Sequence, residues 1–260
     1  MIKSGHLLKD KLAISFYFLL WPLRRILSYN FPLIREVVVE NSDGVFYCGK
    51  DFSAVGCVHP SYEEELRPIF DSIKDGISID IGANVGKYSI ILGKNVGKKG
   101  KIIAIEPEKK NFEMLKYNIR LNGLKNIIVI NRACSSKSEK RKFFLSENGI
   151  GTHSLYKTQK NKIFLTEKFI EINTIKLDDL IFKDLRKKID KKISFIKIDV
   201  EGAEAEVLNG AKETLKKFHP KILVEAWDEE ALKKIEKILF PFGYKKIMVN
   251  SENYLFIRDS

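Results

Sequence analysis

The sequence predicts an α/β fold built on a seven-stranded, mostly parallel sheet with one antiparallel strand. Three observations carry that expectation. Short apolar runs at 77–81, 102–105 and 126–130 alternate with helix-like segments, and the pattern resumes at 194–199 and 221–225. Alternation of this kind lays helices on both faces of a parallel sheet. The chain then closes on two strand-like runs, 244–249 and 254–257, whose hairpin spacing reverses one strand. A chain of 260 residues holds one large domain with decoration and can bury a core without covalent staples.

Ahead of the alternating region, 36–39 and 45–48 flank Asn41-Ser42-Asp43-Gly44, a hairpin turn signal. A short helix, acidic and then apolar, is expected over 61–73. Pro107 opens a helix in which Phe112, Leu115 and Ile119 share one face, and Gly123 closes it. Residues 132–192 exceed an ordinary crossover. They contain strand-like 141–145, a polar loop over 146–154, strand-like 169–175 and a helix over 177–185. An insertion of that size beside a ligand site usually carries substrate recognition. Further on, Val207, Leu208, Ala211 and Leu215 form the core stripe of one helix, and Asp228 caps another that reaches Leu239. The expected division is an extension over 1–34 and one domain over 35–260, with its core from residue 76.

The formal charge is +12, from 46 Lys and Arg against 34 Asp and Glu. Lysine dominates the excess, whereas bidentate phosphate and base recognition favours arginine. A solvated lysine-rich surface is the preferred reading, and nucleic acid is not the expected partner. Cys48, Cys57 and Cys134 are odd in number and lack C-x-x-C spacing. They suggest a reducing, cytoplasmic compartment and argue against a zinc site.

Residues 12–23 are apolar apart from Ser15, and Arg24-Arg25 follows where a cleavage site would stand. Twelve residues fall short of the roughly 20 needed to span a bilayer. Three readings remain open: a helix packed on the domain, a contact with a second copy of the chain, or a peripheral membrane anchor over 12–25. Phe16, Tyr17, Phe18 and Trp21 would serve the anchor. Packing on the domain is preferred.

The chemistry concentrates in residues 77–86, Ile-Ser-Ile-Asp-Ile-Gly-Ala-Asn-Val-Gly. A strand stops at Asp80 and turns through Gly82, Asn84 and Gly86 into a helix. Small residues let backbone approach a ligand, and Asn tolerates left-handed φ nearly as well as Gly. Free N–H groups at a helix start favour a carboxylate. The next strand ends at Glu106, where such folds hold ribose hydroxyls. A dinucleotide fingerprint would read G-x-G-x-x-G. Here the pattern is D-x-G-x-N-x-G, which suits S-adenosylmethionine, a ligand with an ammonium and no pyrophosphate.

Residues 78–89 with that turn, Glu106-Pro107, Thr174-Ile-Lys-Leu-Asp-Asp-Leu180 and Phe195-Ile-Lys-Ile-Asp-Val-Glu-Gly-Ala-Glu204 together resemble the FkbM family of S-adenosylmethionine-dependent methyltransferases. Tyr62-Glu63 is similar to the family's lead-in helix. The resemblance covers about residues 35–258. It implies a Rossmann-like class I methyltransferase fold and methyl transfer to oxygen on a sugar or other hydroxylated molecule. It also implies that Asp80, Gly82, Asn84 and Gly86 line the methionine end, that Glu106 binds ribose, and that Asn131 lies near the adenine. The Asp199-Val-Glu201 tip would face the gap between cofactor and acceptor. Arg132 departs from the family pattern, and residues 149–154 resemble its small-residue loop only loosely.

An alcohol acceptor must lose its proton, which asks for a base or a metal. Asp199, Glu201 and His153 are the candidate bases, although Glu201 reads equally as a first-turn carboxylate offsetting a helix dipole. Glu63 is carried as a cofactor-side candidate, or simply a helix-start acid. A catechol-type magnesium site would need an Asp-Asn pair after the fifth strand, where Val224-Glu-Ala-Trp227 stands. No metal is expected on that count. A base-methylating enzyme would carry an Asn/Asp-Pro-Pro-aromatic tip, and Asp199-Val-Glu-Gly does not. The alternatives are an NAD(P)-dependent oxidoreductase and a non-catalytic, membrane-associated cofactor-binding scaffold.

Overall fold

Five apolar strands with β-branched side chains lie side by side and parallel: β3 (Gly76–Ile81), β4 (Gly100–Ile105), β5 (Ile127–Ile130), β9 (Ile193–Ile198) and β10 (Lys221–Glu225). The closing hairpin of β11 (Lys245–Met248) and β12 (Asn253–Ile257) completes the sheet, with β12 antiparallel to both neighbours. The order β11-β12-β10-β9-β3-β4-β5 is the Rossmann-like class I methyltransferase arrangement. The computed structural model describes residues 36–49, 52–146, 153–156 and 165–258. The helix expected over 12–23 and residues 147–152 of the polar loop lie outside them.

Alternation along each strand divides the sheet between two helical layers. One face presents Ile79, Ile81, Ile103, Ile196, Ile198 and Val224 to α6 (Glu204–Asn209), α7 (Lys212–Phe218) and α8 (Glu229–Leu239). The expected stripe of Val207, Leu208, Ala211 and Leu215 is buried there. It belongs to two helices rather than one. A Cβ on Gly210 would stand 2.2 Å from the Ser135 carbonyl, so the chain breaks where the insertion crosses it.

The opposite face packs Ile102, Phe195 and Leu223 against α2 (Arg67–Ser72) and α3 (Lys87–Val96). Farther along the same face the apolar side chains give way to Asp80 and Lys197. Apolar packing therefore ends where the strands approach their C-terminal tips, and charge begins.

Lead-in hairpin β1 (Val37–Glu40) and β2 (Val45–Gly49) is present, and α1 (Phe52–Val58) follows without having been anticipated. The helix expected over 61–73 shortens to a 3-10 turn at Glu64–Leu66 and α2, because Pro68 starts a new helix. After α4 (Lys109–Leu121), the insertion forms its own sheet, β6-β8-β7, from β6 (Ala133–Cys134), β7 (Lys140–Ser146) and β8 (Leu165–Ile175). The short helix α5 (Leu177–Asp179), continued by a π turn at Leu180–Asp184, leads back to β9. Among the described residues, no helix is long and apolar enough to cross a membrane.

Candidate active site

Two chambers meet at the C-terminal ends of β3, β4, β9 and β10. They share Gly82, Asn84, Asp199 and Glu201. The first continues over Glu106, Asn111, Arg132, Phe143, His153 and Leu155. The second continues over Tyr62, Gly86, Lys87, Tyr88, Lys197 and Glu225.

The turn between β3 and α3 is wound through left-handed residues: Gly82 (φ 84°), Asn84 (φ 51°) and Gly86 (φ 98°). The reason for the glycines differs from the expected one. A Cβ on Gly82 would fall 1.8 Å from the Asp199 carbonyl, and one on Gly86 would fall 2.6 Å from Leu115. Both glycines still line the second chamber, but their nearest neighbours are protein. They let β3 close against β9 and α4.

Glu106 is buried, with one carboxylate oxygen accepting from the Asn84 N–H and the other from the Glu108 N–H, each at 2.9 Å. Burial pushes its pKa up to about 8, against the pull of those two backbone donors. Asp80 is buried too, and its Oδ2 accepts from Ser89 at 2.6 Å. Its Oδ1 and the Oδ1 of Asn84 have no hydrogen-bond partner. Buried acceptors left unpaired cost about 1–3 kcal/mol each and call for a donor-bearing ligand. An ammonium and a ribose diol supply such donors, so these residues fit S-adenosylmethionine.

At the ends of β9 and β10, Asp199, Glu201 and Glu225 each offer a carboxylate oxygen, all within 4.8 Å of one another. The expectation of no metal rested on the missing Asp-Asn pair; Glu225 from that strand end nonetheless joins Asp199 and Glu201 in a group of three carboxylates that could hold an ion. Much of their charge is balanced from within the protein. Lys197, 4% exposed, donates to Asp199 Oδ2 at 2.9 Å and lies 4.8 Å over the Tyr88 ring. Burial would lower the lysine pKa, but Asp199, Asp80 and Glu63 raise it further. Burial disfavours charge on Asp199 as well, but the groups around it, Lys197 foremost, together outweigh burial, so Asp199 stays ionised. Glu225, whose carboxylate lies within 4.8 Å of that of Asp199, is raised by burial and by that negative neighbour, which favours its protonated form.

Glu201 adopts φ 59° and faces both chambers. The backbone amides of its turn are satisfied by Glu204, whose Oε1 accepts from the Gly202 N–H at 2.9 Å and the Val200 N–H at 3.4 Å. The structural duty considered for Glu201 thus falls to Glu204. Burial pushes Glu204 up to about 7.

His153 stands in the first chamber's wall, as expected, but its chemistry differs. Its Nδ1 accepts from the Ser146 N–H at 2.9 Å. A neutral ring bonded this way carries its proton on Nε2 and is a donor rather than a base. Three cofactor candidates, Asp80, Glu63 and Asn131, are in neither chamber's lining. Glu63 accepts from the Tyr88 hydroxyl behind the second chamber. Asn131 is exposed and donates to the Glu106 and Pro107 carbonyls at 2.9 Å each, bracing the loop after β4. Asn111 and Arg132 line the first chamber.

Sequence reasoning also missed Lys87, Lys197 and Tyr62. Lys87 is 6% exposed and donates to the carbonyls of His59 at 2.9 Å and Tyr62 at 2.6 Å, pinning that strap beside the second chamber. The signal for Lys197 was its place two residues before Asp199 on a strand.

The family profile described as the methyltransferase FkbM domain matches residues 80–246. Methyltransferase sdnD of Sordaria araneosa is 27% identical over 188 residues, covering 64% of this chain and 72% of its own. The crystal structure of methyltransferase FkbM from Methylobacillus flagellatus KT superposes with a TM-score of 0.48 at 21% identity. That match covers 72% of this chain and 43% of the other, so this chain spans less than half of that protein's length. M. jannaschii TYW2 in complex with AdoMet gives 0.48 at 14% identity, covering 88% and 90%.

Proposed function

The chain belongs to the methyltransferase FkbM family, and from that premise we propose that it methylates an oxygen of a hydroxylated acceptor, either a small molecule or a glycan or lipid-linked sugar. The observation that carries the reading is the carboxylate group Asp199, Glu201 and Glu225 at the junction of the two chambers. A methyltransferase family takes its methyl from S-adenosylmethionine, so the oxidoreductase alternative falls away.

S-adenosylmethionine supplies a methyl carbon activated by a sulfonium; its C–S bond breaks as the new O–C bond forms. Glu106 would accept from the ribose hydroxyls, and the unpaired oxygens of Asp80 and Asn84 would receive the amino-acid end. Asp199, kept ionised, takes the hydroxyl proton of the acceptor. Glu201 orients that hydroxyl from the left-handed turn. Holding acceptor and donor in line contributes up to roughly 7–11 kcal/mol in ideal cases. A crevice with three carboxylates favours a neutral polyol over an anionic acceptor.

Incubation of the protein with labelled S-adenosylmethionine and cell extract, followed by mass spectrometry, tests the reading. A methyl ether on a polyol is the expected product. Donor binding without any labelled product would support the non-catalytic scaffold instead. Glu201→Gln should leave donor affinity intact while slowing transfer; undiminished turnover would remove its role.

A further inference from the structure

Three separate stretches of the insertion converge on one side chain of the core, Glu206 of α6. Its Oε2 accepts from Ser135 Oγ, just past β6, at 2.5 Å and from the Arg141 guanidinium of β7 at 2.6 Å. Its Oε1 accepts from the Tyr156 hydroxyl. Arg141 also lies 4.9 Å over the Tyr156 ring, which closes a triangle of contacts. At 20% and 28% side-chain exposure, the Arg141–Glu206 pair is screened less than a surface ion pair. The segment held this way runs directly to the site. The Tyr156 N–H donates to Ser154 Oγ at 3.0 Å, and Ser154 Oγ donates to the Glu201 carbonyl at 2.5 Å. Ser154 is fully buried and exchanges both backbone bonds with Phe144 of β7, at 2.8 and 3.1 Å. Phe143 and Leu155 form one apolar cluster with Val200 and Ala203, which flank Glu201-Gly202. Glu201 stands at φ 59°, a conformation that a non-glycine residue keeps only where its surroundings fix it.

Resting on the reading of Glu201 as the group that orients the acceptor hydroxyl, we propose that Glu206 and Ser154 are positioning residues. Through Tyr156 and Arg141, Glu206 clasps the insertion to α6, and Ser154 passes that hold to the left-handed turn of Glu201. Neither side chain lines a chamber, so neither touches donor or acceptor. Glu204 holds the same turn from the other side by accepting from the Val200 and Gly202 amides. The turn is thus fixed at its amides by α6 and at its carbonyl by the insertion. One frame therefore carries both the orienting carboxylate and the chamber wall of His153 and Leu155. The donor-side contacts of Asp80, Asn84 and Glu106 lie outside that frame, at the ends of β3 and β4. Loosening the clasp should therefore slow transfer and spare donor binding. A misplacement of about 1 Å at reacting groups can cost about 10²-fold in rate.

Amide hydrogen exchange and labelled-methyl transfer, both on the full chain, test the clasp and its consequence separately. In the wild type the amides of Phe144, Ser154 and Tyr156 should exchange slowly. In Glu206→Ala they should exchange about tenfold faster or more, while β3 and β4 stay protected. Should Glu206→Ala fail to fold, Tyr156→Phe carries the same comparison. Transfer is read with labelled S-adenosylmethionine and cell extract as the source of acceptor. In Ser154→Ala and Glu206→Ala the rate at saturating donor should fall about tenfold or more, with the donor KM within about twofold. Glu206→Gln keeps an acceptor oxygen for Tyr156 or Arg141 and should recover part of that rate. Unchanged exchange in Glu206→Ala would overturn the clasp. Faster exchange with an undiminished rate in both variants would overturn the positioning role. A Glu201→Gln protein as fast as the wild type would instead sink the reading of Glu201, which keeps the two failures apart.

Discussion

Asp80 and Lys197 are register partners on adjacent parallel strands, and the same face carries Asp199 two residues beyond Lys197. Cofactor side and reaction side are thus coupled through one buried ammonium. Asp80 is held on its other flank by Ser89 of α3, which fixes the carboxylate beneath the turn that Asn84 and Gly86 form. The neighbouring strand places Glu106 against that same turn through the Asn84 N–H.

Glu106 makes donor affinity pH-dependent. Its pKa lies near 8, and hydroxyl donors favour the ionised form. Wild-type affinity for S-adenosylmethionine, taken relative to Glu106→Gln so that titration of the ligand's own amino group (~7.7–8.0) cancels, should therefore rise as pH climbs from 6 to 9. At pH 9 binding to Glu106→Gln should be weaker by about 1.5–3 kcal/mol per charge-assisted bond lost. Isothermal calorimetry across that range checks both features; an unchanged affinity in the variant would remove Glu106 from the ribose.

Gly82 should tolerate no side chain. Gly82→Ala drives a Cβ into the Asp199 carbonyl at 1.8 Å from a backbone already at φ 84°. The expected loss is about 3 kcal/mol or more. Gly97 also has positive φ, 50°, but nothing lies within 4 Å of its built Cβ. Gly97→Ala should cost only about 1–2 kcal/mol. Thermal denaturation of the two variants should separate them, at roughly 2–4 °C per kcal/mol for a chain of this size.

The turn through Asp80, Gly82, Asn84 and Gly86 was legible because it is local, and so was the mostly parallel seven-stranded sheet, because helices and strands alternate. The side on which Lys197 and Asp199 stand follows from period two alone. Glu225 was not legible. Its meeting with Asp199 depends on the register between β9 and β10, across a stretch that includes two helices. Asn131 and Glu63 went astray for another reason. Side chains near loops bond to whatever backbone or hydroxyl is closest, and Asn131 found the Glu106 and Pro107 carbonyls. The tautomer of His153 needed the position of Ser146, seven residues away.

Glu204 gives stability a pH slope. Its folded pKa is raised to about 7, above an ordinary glutamate near ~4.3. The folded state holds the extra proton, so this contribution is complete below about pH 4 and lost as pH rises through about 7. Glu204→Gln retains an oxygen for the Gly202 and Val200 amides and does not titrate. Wild-type Tm should therefore fall relative to Glu204→Gln between pH 5 and 8. Parallel Tm profiles would show that Glu204 does not carry that proton.

His153 separates a donor from a base by magnitude. With Nδ1 accepting from Ser146, the ring proton sits on Nε2, so toward a molecule in the first chamber His153 acts as a donor and not as a base. Loss of one neutral hydrogen bond costs about 0.5–1.5 kcal/mol, or roughly 2–12-fold. Loss of a general base costs about 10²–10⁴-fold. His153→Ala should therefore raise the acceptor KM several-fold and leave the acid limb of the pH–rate profile in place. That limb belongs to Asp199, whose titration the histidine does not touch. A hundredfold fall in kcat, with the limb displaced, would return His153 to the role of base.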